Sequence, residues 1–165
     1  MWQGAANIYF REAETSATAD ILIGAQVEPE GWAFTNVFYE ARSADGVKPI
    51  SQSLICLNPL KPWKVGFDGN LKIYDLRYTI AHEIGHAIGL DHPDGDGQVT
   101  GYRYEEDFRE LQSGDVAGAV LLYGRHQPEA VTAEADQSRS AIHRSSIPRM
   151  LAKRWGTRAF SAPPH

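Results

Sequence analysis

The stretch HEIGHAIGLDH, His82 to His92, constrains this chain more than any other segment. It gathers three of the six histidines, and residues 1–124 contain no other. On a helix, His82 and His86 stand one turn apart and project from the same side. Gly89 can adopt a positive φ at little cost, so the chain can leave the helix there and swing His92 back toward the pair. The preceding residues support a helix. Asp75 is suited to an N-cap, and Leu76, Ile80, Ile84 and Ile88 then recur every four residues as an apolar stripe. The histidines lie roughly opposite that stripe and are expected to point away from the packing face.

Two imidazoles one helical turn apart, with a third three residues beyond the helix stop, have the spacing of a zinc site. Three protein ligands leave a coordination position open, which separates catalytic from structural zinc. Glu83, about 100° round the helix from His82, cannot comfortably share the metal but can reach a water bound to it. Such a carboxylate can accept the water's proton and return it to a leaving amine. An HExxH string alone arises by chance in long helices. Here the added Gly89 and His92 and the capped helix make chance a poor account. Buried core histidines would not need this arrangement.

The flanking sequence reads as strands before this helix and one helix after it. Ala6 to Phe10 and Asp20 to Gly24 are apolar runs of strand length. Trp32 to Tyr39 and Ser51 to Leu57 read as two further strands, joined through a turn signal at Asp45-Gly46 into a hairpin. Asp68-Gly69 marks another turn. Ser113 reads as the N-cap of a closing helix with Val116, Val120 and Tyr123 on one face and Gly124 as its stop.

Residues 125–165 carry 7 Lys+Arg against 3 Asp+Glu and read as a basic, disordered tail. Within it, Met150 to Trp155 could form a helical turn or two. Residues 1–124 carry 18 Asp+Glu against 9 Lys+Arg, a balance that argues against nucleic acid as a partner. No apolar run is long enough to cross a membrane, and no signal peptide is visible. The single cysteine, Cys56, excludes an internal disulfide and reads as a buried strand residue.

The pattern HExxHxxGxxH is the metzincin signature. The chain resembles the matrixin branch of that family over nearly all of residues 1–124. ADILIG resembles the family's ADIxI strand, GWAFTNVFY its antiparallel edge strand, and LQSGDVAGAVLLYG its closing helix, which typically ends in Tyr-Gly. The resemblance implies an α+β fold. It would contain a twisted mixed sheet with an antiparallel edge strand, an active-site helix and a C-terminal helix. It also implies a zinc-dependent endopeptidase acting through a Glu83-activated, zinc-bound water, with one catalytic zinc on His82, His86 and His92. A peptide or protein substrate would add along the edge strand from Trp32 to Phe38. By family analogy the protein would be secreted, and a monomer is expected.

The chain departs from the matrixin pattern at four places. The methionine of the family's Met-turn falls on Thr100, where a smaller and polar side chain should pack less well and Thr100→Met should fill space. Tyr102 matches the Met-x-Tyr of astacins and serralysins, whose tyrosine binds zinc or steadies the transition state; equally, Tyr102 and Tyr104 could wall the substrate pocket. The structural-zinc loop is absent, since its last histidine aligns with Cys56, and a nearby calcium-binding Asp aligns with Asn58. Asp94 to Gly97 hints at calcium, but an EF-hand would need Glu where Arg103 stands, so a solvated turn is expected. Finally, the family's first strand and most of its first helix would precede Trp2, so either the protein starts further upstream or the sheet is incomplete. Thr100 and that missing start favour a rival reading, a zinc-binding pseudo-protease that binds peptide or a partner. The basic tail, residues 139–158, could alternatively contact acidic partners or membrane.

Overall fold

The computed structural model describes residues 1–27, 30–40, 48–127 and 151–152. Three longer strands and one short one form the main sheet. β1 (Ile21–Ala25) runs parallel to β3 (Lys48–Leu57), and β2 (Ala33–Tyr39) runs antiparallel to it, in the order β1-β3-β2. The mixed sheet and the antiparallel hairpin of β2 and β3 follow the expectation, and β2 lies at the sheet edge. Ala33 pairs with Leu57 and Tyr39 with Ile50, with a bulge between Phe38 and Tyr39. The Asp45-Gly46 turn lies outside the described residues. Among the described residues no strand lies beyond β1.

Ala6 to Phe10 do not form the expected strand. Ala6 makes one isolated antiparallel bridge to Arg125, and the Asn7 amide donates to the Gly124 carbonyl at 3.1 Å. The reason lies just upstream. A helical turn, α1 (Trp2–Ala5), buries Trp2, whose Nε1 donates to the Ala81 carbonyl at 2.9 Å. Ala6 and Ile8 then bury their side chains with Ile88 and Ala119. Packing onto helices offered this segment more apolar burial than a lone strand could.

Two short strands, β4 (Trp63–Lys64) and β5 (Tyr74–Asp75), pair in parallel and lead into helix α2 (Leu76–Ala87). Asp75 caps α2 as expected: its Oδ1 accepts the Tyr78 amide at 2.7 Å. Gly89 ends the helix with φ 99°, as its position predicts. Asp68-Gly69 forms the expected turn, in which Asp68 Oδ1 accepts the Asn70 amide. Helix α3 (Ser113–Tyr123) stops at Gly124, but its N-cap is Gln112 rather than Ser113. Asp115, at the third helical position, accepts the Gln112 amide and closes a capping box. Ser113, exposed, has no such role. A two-residue strand, β6 (Leu151–Ala152), pairs antiparallel with Lys48 and Pro49, so the segment read as a helical turn has extended backbone there.

α2 lies between two apolar clusters. One is aromatic and holds Trp32, Tyr74, Tyr78, Ala81, Val99 and Tyr104. Trp32 stacks on Tyr74 and Tyr74 on Tyr104, each pair at 4.3 Å between ring centroids. The other holds Trp2, Ala6, Ile8, Ile88 and Ala119, with Ile84, Leu90 and Tyr123 against it. The apolar stripe therefore meets only the second cluster. Leu76, Ile80 and Ile84 are only half-buried, while Thr79, His82 and Glu83 on the other faces are fully buried. The expectation that the histidines point away from the packed side does not hold for His82. The chain beyond His92 folds back over that face and buries it.

Candidate metal centre

His82, His86 and His92 converge. One ring nitrogen from each lies within 4.8 Å of the others. His82 Nε2 and His86 Nε2 are 3.0 Å apart, and the ring centroids of His82 and His92 are 5.2 Å apart. The two helical histidines are held by their outer nitrogens. His82 Nδ1 meets the Val99 carbonyl at 2.7 Å, and His86 Nδ1 meets the Leu90 carbonyl at 2.8 Å. A carbonyl only accepts, so each Nδ1 carries the hydrogen and each Nε2 turns a lone pair inward. Burial, the nearby His86 and, less, His92 push His82 well below the usual imidazole range, and burial also lowers His86, against the Leu90 carbonyl and Asp91. Neutral imidazoles are the form that binds a cation. The donor set of three imidazoles therefore fits zinc.

Glu83 follows His82 and faces the sheet. Thr35 on β2 donates its hydroxyl to Glu83 Oε2 at 2.6 Å. The other oxygen, Oε1, is buried and has no hydrogen-bond partner among the described residues. Burial raises the carboxyl pKa to about 7, against the opposing pull of the Thr35 hydroxyl. Such a carboxyl is suited to exchanging protons near neutral pH. Thr35 is a positioning residue that sequence reasoning did not find. Its alternation onto the inner face of β2 was the only available signal.

Tyr102 is exposed, and its ring meets the edge of His92 at 5.3 Å and 76°. Tyr104 is different: it is buried, its hydroxyl accepts the Asp75 amide at 2.9 Å and donates to Glu106 at 2.6 Å. Lys64 pairs with Glu106 and Asp68 beside it, tying the β4 loop to this segment. Asp94 to Asp96 are exposed, with Gly95 at φ 119° and Gly97 at φ 80°, a solvated turn as expected. Among the described residues the three histidines are the one group able to supply a metal with three such ligands. Cys56 is buried on β3, as expected.

Thr100 is not loosely packed. It is buried, its hydroxyl donates to Asp115 Oδ1 at 2.7 Å, and its amide donates to the same oxygen at 3.0 Å. On the other side its methyl group lies so close to α2 that a Cβ added at Gly85 would meet it at 2.5 Å. The expected void beneath the site is filled by this arrangement. Asp115, the second residue missed from sequence, also accepts the Val99 amide at 2.9 Å.

Comparison with known proteins agrees with this geometry. Residues 1–124 match the family model described as Matrixin. Mouse Matrix metalloproteinase-19 is 38% identical over 64 residues, which cover 38% of this chain and 12% of the relative. Metalloendoproteinase 1-MMP of Arabidopsis thaliana is 28% identical over 153 residues, 88% of this chain and 41% of the relative. Probable matrix metalloproteinase 095L of Invertebrate iridescent virus 3 is 28% identical over 145 residues, covering 80% and 37% respectively. The chain thus spans at most 41% of the length of these relatives. With its family model matched from residue 1 through the end of α3, its mixed sheet and its histidine triad, the chain belongs to the matrixin family of metallopeptidases.

Proposed function

We propose that this chain is a zinc-dependent endopeptidase. The observation that carries the reading is the convergence of three imidazoles beside a buried carboxyl whose Oε1 has no hydrogen-bond partner among the described residues. Zinc, when bound, supplies a Lewis acid that polarises a carbonyl and makes water acidic. His82, His86 and His92 hold it. Glu83 takes the proton from water as it attacks the peptide carbon and passes it to the departing amine. Thr35 fixes one oxygen of Glu83 and leaves the other for that work. The substrate would be an extended peptide adding a strand along the outer edge of β2, near Trp32 to Phe38. Tyr102, exposed beside His92, would meet the same substrate. The rival reading of an inactive binding domain leaned in part on Thr100. The satisfied hydroxyl and tight packing of Thr100 weaken that one ground.

Metal analysis combined with a peptide-library digest tests the reading. The wild-type chain should hold one zinc and cleave, a chelator should stop cleavage, and added zinc should restore it. Glu83→Gln should keep the zinc and lose about 10²- to 10⁴-fold in turnover, the weight of a general base. Near wild-type turnover in Glu83→Gln would falsify the assigned role.

A further inference from the structure

We propose that Asp115 and Thr100 are positioning residues for the metal ligand His82, acting through the Val99 carbonyl; this rests on the metal reading above. The Asp115 carboxylate accepts four hydrogen bonds. Oδ1 takes the Thr100 amide and hydroxyl, and Oδ2 takes the Val99 and Gln112 amides. It is 1% exposed, at the first turn of α3. Three of its four donors belong to Val99 and Thr100, the residues flanking the peptide bond whose carbonyl accepts from His82 Nδ1. The Thr100 amide shares one planar unit with the Val99 carbonyl, so holding it directs that oxygen, and holding the Val99 amide steadies the peptide before it. That oxygen in turn holds His82 in the tautomer and orientation that aim Nε2 at the metal.

Thr100 acts on both sides of this peptide. Its methyl presses toward Gly85 on α2, and its hydroxyl binds Asp115 on α3. An apolar side chain could supply the first contact but not the second. Gln98 adds to the anchorage: its Oε1 accepts the Gly114 and Asp115 amides at 2.8 and 3.1 Å. The segment from Gln98 to Thr100 is thereby fastened to the first turn of α3. His86 has no such dependence, because its supporting carbonyl, Leu90, lies four residues away in the same turn. The two histidines therefore serve as probe and control within one molecule.

The test uses the full chain loaded with Co(II), with affinity measured by chelator competition. Near-ultraviolet and visible absorption report ligand geometry, and the paramagnetically shifted proton lines of the two Nδ1–H groups report each histidine. Asp115→Asn keeps the shape but replaces one acceptor oxygen by a donor. It should weaken Co(II) binding about tenfold, the low end for outer-shell partners of a metal ligand. It should also shift or broaden the His82 proton line while the His86 line stays. Thr100→Val keeps the shape and loses only the hydroxyl; it should give a smaller change of the same kind, and Thr100→Ser should reverse it. A purely structural role would lower the melting temperature and leave both proton lines and the absorption bands in place. Unchanged affinity and an unchanged His82 line in both Asp115→Asn and Thr100→Val would overturn the inference. So would equal movement of the two lines. A wild-type chain that takes up no Co(II) would overturn the metal reading itself, and this inference with it.

Discussion

The two helical histidines do the same job by different means. His86 belongs to a local unit: it sits in the last turn of α2, and the Gly89 stop and the Leu90 carbonyl that meets its Nδ1 follow within four residues. His82 belongs to a distributed unit, in which its support comes from Val99, whose own amide is held by Asp115 on α3. Burial follows the same division. His82 is fully buried and His86 half-buried, so one forms the floor of the site and the other its rim. A local support is secured by the helix itself. A distributed support gives tighter enclosure, but it depends on every element of the domain that reaches it.

The largest expected effect does not separate the two units. His82→Ala and His86→Ala should each abolish stoichiometric zinc, as metal analysis of the purified variants would register, because two imidazoles bind far more weakly than three. Unchanged zinc in His86→Ala would remove it from the ligand set. The difference should emerge without metal. His82→Ala should cost more thermal stability than His86→Ala, since it empties a buried site and strands the Val99 carbonyl.

Asp115→Ala strikes the distributed unit alone. It leaves four donors without their acceptor, and unfolding by urea should show a loss of about 3 kcal/mol, given the cost of each buried unpaired group and partial rescue by water. A loss below about 0.5 kcal/mol, the level of an ordinary surface change, would mean that the network carries no weight. Gly85→Ala tests the contact between the units. The added methyl would meet the Thr100 methyl at 2.5 Å and the Trp2 ring at 3.0 Å. A loss of about 1–3 kcal/mol is expected from such overpacking. Thr100→Met should fall in the same range and the same direction, because the larger side chain meets α2 and loses the Asp115 bond. A higher melting temperature for Thr100→Met would show that the space beneath His82 is larger than this packing allows.

The smallest effect is expected from ending the chain at Gly124. Neither histidine support uses a residue beyond α3, so zinc stoichiometry should be unchanged; the Ala6–Arg125 bridge and the pairing of β6 with Lys48 and Pro49 are lost, at a cost of about 1 kcal/mol. Loss of metal on truncation would mean that the distributed unit extends past α3.

The local unit was legible in the sequence for a physical reason. Its parts are set by helical periodicity, by the Asp75 cap and by the one residue type that readily takes φ 99°. The hairpin of β2 and β3 and the stop at Gly124 could be read in the same way. Ala6 to Phe10 could not, because a short apolar run carries no mark of whether a strand or a helix face will bury it. Here Trp2 and Ala119 decided the matter.

The sequence by itself determined which three side chains can meet a metal and which carboxyl stands beside them, since spacing along one helix and one turn fixes both. Tertiary structure alone decided how that set is held. It put Thr35 on Glu83, folded Val99 back onto His82, and gave the Thr100 hydroxyl the Asp115 carboxylate that makes a threonine tolerable beneath the site. Hydrogen bonds between residues 15 to 48 positions apart leave no periodic trace in a chain. They appear only when the elements that carry them are packed together.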